Sequence, residues 1–283
     1  MLPFYKHCYV FCIQLDTNQI VSSSMHLISN HRIEFINFLS GEFKMKKTLL
    51  VLALAAAFVP VLAQAEAGDI VVRLRATHVA PDESSNLGGQ TDATYGTGTA
   101  QAVYGSPDAK LQVGSNTIPE IDFSYYITKN IAAELILALG TRHDVKVSGT
   151  GGALTSRDLG SVNLLPPTLT AQWHFMPDTM IDPYLGAGGA YVLGMDRSLT
   201  ANVGALGLPI RTDRHAFGAV LQAGIDVNLQ DKWLLNFDVK KLWFNTDVKL
   251  DATAAGLAPA GYQKIDSLDV DPWVISIGFG KKF

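Results

Sequence analysis

Charged side chains stand at alternate positions inside apolar segments of this chain. Arg73 and Arg75 flank Leu74, and the same spacing places carboxylates and other ionisable groups in later segments. Residues two apart on a β-strand share one face, so this spacing predicts groups that line one side of a sheet. Opposite charges held away from water pair, because an unpaired buried charge is costly. We therefore predict a cluster of paired polar side chains on this face, which we call the polar floor. Its members are Arg73, Arg75, Asp122, Glu134, His174, Asp226, Asp238 and Lys240.

Catalysis would need a nucleophile with a base within hydrogen-bond reach. No serine-elbow motif accompanies the histidines that follow residue 65. His78 and His215 fall near the predicted outer rim, and a lipase-like pair there is the one enzymatic alternative. Metal-ligand spacing does not occur after residue 65, and the glycines at 186–189 lack the Lys and Ser/Thr of a phosphate loop. The sequence predicts neither an enzyme nor a cofactor.

The last segment shows most clearly which elements hold these groups. From Trp273 to Gly280, large apolar residues alternate with smaller or polar ones, and the chain ends at Phe283. A period of two predicts a strand with one apolar face. Such an edge strand would aggregate in a soluble protein, whereas a closed barrel in lipid has no free edge. The segment predicts a membrane β-barrel, with Phe283 as the signal for the barrel-assembly machinery.

Eight segments of this kind follow residue 65, near 69–77, 117–127, 131–141, 167–175, 181–193, 214–229, 232–245 and 268–283. Tilted membrane strands need about nine to eleven residues. Short turns alternate with long polar loops near 79–116, 142–166, 194–213 and 246–267. This alternation is typical of outer-membrane barrels. We predict an all-β fold: an eight-stranded antiparallel transmembrane β-barrel with both termini periplasmic.

The alternation of side chains along each predicted strand assigns residues to the two faces of the barrel wall. In the segment 232–245, Leu235 and Phe237 share the apolar face, while Asn236 and Asp238 point the other way. A soluble barrel would reverse this arrangement and keep its polar face outside. Four tryptophans also fall on the apolar face, each near the end of a segment, where interfacial aromatic girdles lie in membrane barrels. These are Trp173, Trp233, Trp243 and Trp273.

The N-terminal region has the pattern of an export signal. Lys46 and Lys47 precede an apolar run at 48–62, and a small-x-small cleavage pattern ends at Ala65. This is the anatomy of a secretory signal peptide, and the run is too short to span a bilayer. We predict a signal peptide at 45–65, cleaved near Ala65, and a mature barrel at 66–283.

Residues 1–44 do not resemble the short n-region of a signal peptide. We predict that they are a misannotated upstream extension and that translation starts at Met45; a genuine extension is the alternative. Both cysteines, Cys8 and Cys12, lie there, so the predicted mature chain needs no disulfide. The formal net charge of −4 gives no indication of a nucleic-acid partner.

Several motifs, in order, resemble the OmpW family of outer-membrane proteins. The resemblance covers residues 67–283 and is carried by the stretches 67–73, 79–81, 119–126, 130–134, 165–170, 183–188 and 271–274. It implies an eight-stranded barrel in the outer membrane of a Gram-negative bacterium, with a narrow channel for small hydrophobic compounds. Lys281 and Lys282 depart from the family, which more often has an aromatic residue and one Arg before the final Phe.

The inward positions of the predicted outer half are apolar, in contrast with the polar floor. The candidate lumen residues are Ile136, Val220, Leu242, Phe244 and Val274. A hydrophobic solute entering from outside would meet this wall first and the charged floor next. Sideways release of the solute into lipid is therefore favoured over passage through the floor. The predicted partners of the barrel are thus small hydrophobic solutes and the lipid of the outer membrane.

Two alternatives to this channel remain open at this point. The apolar residues could simply pack the lumen. The barrel could also be a structural or interaction protein, whose loops bind phage, colicin or host surfaces without transport.

Deleting Phe283 should lower the amount of folded barrel in the membrane several-fold and leave unfolded protein in the periplasm. Heat-modifiable gel mobility reports the folded fraction directly. An unchanged folded yield would contradict the role of Phe283 as an assembly signal.

Overall fold

The computed structural model describes residues 66–149 and 151–283. The predicted signal peptide, the upstream extension, Cys8 and Cys12 lie outside these residues. The described strands are β1 (Ile70–Ala80), β2 (Leu111–Val113), β3 (Asn116–Tyr126), β4 (Ile131–Ala138), β5 (Thr141–Val147), β6 (Asp158–Leu165), β7 (Thr168–His174), β8 (Ile181–Asp196), β9 (Ser198–Val203), β10 (Leu206–Thr212), β11 (His215–Asn228), β12 (Trp233–Trp243), β13 (Asn245–Asp251), β14 (Tyr262–Asp269) and β15 (Trp273–Lys282). The described helices are α1 (Leu87–Tyr95) and α2 (Thr99–Tyr104), and single 3-10 turns lie at Gln230–Lys232 and Thr253–Ala255.

Eight strands close into one antiparallel barrel, in the order β1, β3, β4, β7, β8, β11, β12, β15. β15 then pairs with β1, which completes the ring. The closing seam extends to the last residue, because the backbone N–H of Phe283 donates to the carbonyl of Ile70 at 2.8 Å. These strands are the eight predicted segments, so the predicted eight-stranded antiparallel barrel is confirmed. The periplasmic placement of its termini stays a prediction.

The two ends of the barrel differ. Short connections at 127–130, 175–180 and 229–232 lie at one end, together with the first and last barrel residues. We call this the turn end. The opposite end, the loop end, carries the long connections.

The long connections are not the polar loops that their composition predicted. β2, β5 and β6 extend the barrel sheet beyond β8, and β9, β10, β13 and β14 form a separate four-stranded sheet. With α1 and α2 they enclose their own hydrophobic core, which includes Leu111, Val145, Leu199, Leu208, Ile210, Leu250 and Ile265. We call this folded layer the cap. Its strands contain three to eight residues, and polar side chains occupy their exposed positions, so in composition these segments resemble loops.

The outer face of the barrel is apolar from end to end. Phe217 is 78 % exposed, and alternate residues of every barrel strand are exposed aliphatic or aromatic side chains. All four tryptophans belong to this exposed set, Trp173 and Trp233 at the turn end and Trp243 and Trp273 at the loop end. A continuous apolar band of this size is unstable in water and stable in lipid. No helix in the described residues is long and apolar enough to cross a membrane.

Glycines on the inward face make room for large inward side chains. A Cβ at Gly278 would lie 2.1 Å from the carbonyl oxygen of Leu74 and 2.9 Å from Cγ of Arg75. One at Gly280 would lie 2.8 Å from Cγ of Arg73. The alternation of glycine with apolar residues in β15 therefore has a specific cause: the two arginines of β1 lie across it.

Candidate functional site

All eight residues of the polar floor lie inside the barrel, none more than 3 % exposed. They project from β1, β3, β4, β7, β11 and β12, so they converge only when the ring is closed. The strand pairing explains why they meet: Arg73 lies directly opposite Asp122, and Ser124 on the same strand faces Glu134.

Arg73 is held by acceptors from three other strands. Its Nη2 donates to Oδ2 of Asp226 at 2.6 Å, and its Nη1 donates to Oε1 of Glu134 at 3.1 Å and to the hydroxyl of Ser124 at 2.5 Å. The guanidinium is completely buried. Such a charge is stable only with paired and well-aligned acceptors, and this fork supplies them.

Arg75 continues the network towards the loop end. Its Nη2 shares Oε1 of Glu134 with Arg73, at 3.1 Å. Its Nη1 lies 2.9 Å from Oδ2 of Asp122 and donates to Oε1 of Glu120 at 3.2 Å. Glu134 therefore bridges the two arginines and ties β1 to β4.

Sequence reasoning missed several members of this network. Glu120 is 4 % exposed, and its Oε1 also accepts from Nζ of Lys240 at 3.0 Å. Gln222 donates to Glu134 and Asp238, both at 2.8 Å. The remaining neutral members are Gln172, Tyr184 and Asn236. Glu120 stands two residues before Asp122 on the same strand, so the parity rule that found Asp122 could have found Glu120.

His174 belongs to the floor, where a carboxylate and two tyrosines contact it. Its Nδ1 lies 2.7 Å from Oδ2 of Asp182, and its ring packs between Tyr126 and Tyr184, each 5.0 Å away between centroids. His78 contacts the hydroxyl of Thr117, and His215 contacts that of Tyr191. In the described residues these histidines meet no serine hydroxyl, and no group of three or more His, Cys, Asp or Glu is arranged to hold a metal.

A cavity of about 70 Å³ lies above the floor, towards the loop end. We call it the apolar chamber. Four candidate lumen residues line it, Ile136, Leu242, Phe244 and Val274, while Glu120 and Lys240 form its base. Val220, the fifth candidate, packs against Leu242 and Val274 without lining the cavity. The chamber is thus a void with apolar walls and a charged base.

His143 stands in the chamber wall from β5 of the cap. Its Nδ1 lies 2.7 Å from the carbonyl oxygen of Gly114, so it donates a hydrogen bond there. Burial lowers the pKa of His143, which keeps the imidazole neutral at physiological pH. The cap therefore adds no charge to the chamber through this residue.

The chamber continues upward into the cap. A second cavity of about 50 Å³ lies among cap strands and shares Val113, Leu164, Val192, Phe244 and Val270 with the chamber wall. A hydrophobic molecule moving between the two cavities would stay in contact with aliphatic and aromatic side chains.

One seam of the barrel wall is incomplete beside the chamber. β4 pairs with β7 only up to Ile136 opposite Thr168, and the next residues towards the loop end are Pro166 and Pro167. Proline has no backbone N–H to donate to a neighbouring strand.

On the outer face, a groove of about 300 Å³ is lined by Thr168, Leu169 and Phe217 among others. Thr168 lines both this groove and the chamber, so the wall between them is one strand thick.

Comparison with known proteins agrees with the geometry. A family model described as the OmpW family matches residues 66–283. Outer membrane protein W of Escherichia coli (strain K12) is 31% identical over 219 residues, covering 77% of this chain and 90% of that protein. The uncharacterized outer-membrane protein y4mB of Sinorhizobium fredii is 40% identical over 182 residues, covering 64% of this chain and 72% of that protein. The crystal structure of the outer membrane protein OprG from Pseudomonas aeruginosa is similar with a TM-score of 0.64 at 28% identity, covering 77% of this chain and 97% of that one.

Replacing Asp226 with Asn should destabilise the barrel, because it removes the charge that Arg73 faces at 2.6 Å. Breaking one partner of a buried ion pair costs about 3–5 kcal/mol. We expect a loss of that order in the free energy of unfolding, measured by urea titration of the barrel in bilayer vesicles.

The matched control is Asp178→Asn, which breaks the ion pair of Asp178 with Lys129, whose side chains are 34% and 49% exposed. Such pairs contribute about 0–1 kcal/mol. Equal urea midpoints for the two variants would show that the floor does not depend on the Asp226 charge.

Proposed function

The chain belongs to the OmpW family of outer-membrane proteins, and on that premise we propose that its barrel is a narrow channel for small hydrophobic molecules. The turn end faces the periplasm, and the cap faces the outside. Solutes enter through the cap, occupy the apolar chamber and leave sideways into the bilayer.

The observation that carries this proposal is the chamber itself. An eight-stranded barrel is just wide enough for its own side chains to fill. Here the floor half is filled, whereas the half lined by Leu242 and Val274 keeps a cavity of about 70 Å³. A lumen packed along its whole length would have favoured the structural or interaction barrel instead.

The floor supports a sideways exit over an axial one. A solute moving straight towards the turn end would have to separate Arg73, Arg75 and Glu134, which are completely or almost completely buried. Separating buried ion pairs costs several kcal/mol. Entering lipid instead gains roughly 25 cal/mol for each Å² of apolar surface removed from water.

The exit that the geometry supports best is the β4–β7 seam. Pro166 and Pro167 leave this part of the wall with fewer cross-strand hydrogen bonds than its neighbours have. The chamber lies on one side of Thr168 and the outer groove on the other. Local separation of the strands there would open the chamber to lipid without disturbing the floor.

Leu242→Asp should reduce uptake of hydrophobic molecules by about tenfold or more. An unpaired carboxylate in a narrow apolar cavity is costly and draws water into the cavity. Uptake of a hydrophobic fluorescent probe into vesicles that carry the barrel measures the effect.

The control is Leu242→Met, which conserves volume and polarity and should leave uptake close to the wild-type level. Heat-modifiable mobility confirms that both variants are folded. If Leu242→Asp takes up every probe as fast as wild type, the lumen is not the route, and the interaction barrel becomes the better hypothesis.

Restoring a backbone donor at the seam should slow release. In a Pro166→Thr variant the new residue favours strands and carries the missing N–H. Pro167 is kept, because its carbonyl accepts from Tyr191 of β8 and its backbone nitrogen faces the same strand. We expect binding in the chamber to be unchanged and transfer into the bilayer to fall several-fold, with increased hydrogen-exchange protection of β4.

Pro183→Val is the matched control, because Pro183 also lies in the barrel wall but opposite Ile225, nearer the turn end. It should leave transfer unchanged. An equal effect of both changes would place the exit elsewhere.

A further inference from the structure

We propose that the apolar chamber prefers small hydrophobic molecules that end in a positively charged amine over those that end in a carboxylate, and that Glu120 determines this preference. The inference rests on the proposed function, because it takes the chamber to be the site that a solute occupies.

Glu120 presents an unused oxygen at the base of the chamber. The residue is 4 % exposed and lines the cavity. Both of its cationic partners, Arg75 at 3.2 Å and Lys240 at 3.0 Å, use Oε1. Within residues 66–149 and 151–283, no hydrogen bond to its Oε2 is found. A buried carboxylate oxygen with capacity to accept is a site for a donor on a ligand.

Lys240, the other charged residue at the base, already faces two carboxylates with its three N–H donors. Its Nζ lies 3.0 Å from Oε1 of Glu120 and 2.8 Å from Oδ1 of Asp238. One ammonium thus faces two carboxylates, both from the floor. A ligand carboxylate would have to displace one of them or approach them at short range.

The network of ion pairs made by Arg73, Arg75 and Lys240 points the same way. Its cations are Arg73, Arg75 and Lys240, three in number. Its carboxylates are Glu120, Asp122, Glu134, Asp226 and Asp238, five in number. The carboxylates outnumber the cations that they pair with, and they lie beneath a cavity of low polarity, where charges interact more strongly than in water. The neutral imidazole of His143 adds no positive charge above them.

The walls and the base therefore select two properties of one molecule. Ile136, Leu242 and Val274 accept a short hydrocarbon chain. The free oxygen of Glu120 accepts a hydrogen bond from an ammonium or, more weakly, from a hydroxyl, since charge-assisted hydrogen bonds are the stronger kind. A carboxylate of the same chain length meets repulsion at the same position.

Binding of three probes of equal chain length tests this selectivity: hexylamine, hexanol and hexanoate. The barrel is placed in phosphatidylcholine nanodiscs, and methyl NMR signals of Leu242 and Val274 report the chamber. Signals of Leu235 and Ile277, exposed on the outer face, report partition into lipid. We expect hexylamine to bind about tenfold tighter than hexanoate, with hexanol between them.

Glu120→Gln keeps the shape of the side chain and removes its charge, so the tenfold preference should shrink to about twofold or less. Asp178→Asn, which removes a carboxylate from the surface at the turn end, should keep the full preference. If Glu120→Gln does not fold, intermolecular NOEs in the wild type test the role of Glu120: the amine end of hexylamine should contact the Glu120 methylene groups, and contact elsewhere would overturn that role.

The outcomes separate the two proposals. If hexanol shifts the chamber signals but hexylamine binds no tighter than hexanoate, the selectivity is wrong and the channel stands. A preference that persists in Glu120→Gln overturns the role of Glu120. If all three probes shift only the lipid-facing signals, the chamber is not a binding site and both proposals fail.

Discussion

The structure depends on two arginines that lie side by side in the bore of a lipid-facing barrel. Arg73 and Arg75 are completely or almost completely buried, and burying such charges is tolerable only when carboxylates meet them with good geometry. Glu134 bridges both, and the glycines of β15 give their side chains room. The arginines therefore constrain residues on every side of them. They also close the bore, which leaves the void above as the space open to a solute.

The two halves of the lumen differ because the inward positions carry different residue types at the two ends of the barrel. Inward positions near the turn end are charged and pair across the bore, so they fill it. Inward positions near the loop end are aliphatic or aromatic, and their shapes leave the chamber. The cap continues the apolar surface beyond the barrel, because Val192 and Phe244 line both cavities. In the proposed channel, a polar barrier below and an apolar path above would favour sideways release of a solute over axial passage.

Much of the barrel was readable from the sequence, because period-two alternation is a local signal. It identified all eight strands and the face on which Leu235, Asp238 and their equivalents lie. It could also have identified Glu120, which obeys the same parity as Asp122. The cap was missed because its strands expose polar residues, such as Arg142, Asp144 and Lys146 of β5, and therefore resemble polar loops in composition. The chamber and the incomplete seam could not be derived, since a void and a missing ladder depend on how distant strands pack.

The seam between β1 and β15 links closure of the barrel to the pairing of its buried charges. The first and last strands of the barrel are neighbours, so the cylinder stays an open sheet until the final residue is in position. The partners of Arg73 come from β4 and β11, on opposite sides of that opening. Arg73 therefore obtains its full set of partners only in the closed ring. Without β15, both β1 and β12 would keep an unpaired edge, and the guanidinium groups would lie in an open sheet instead of a closed bore.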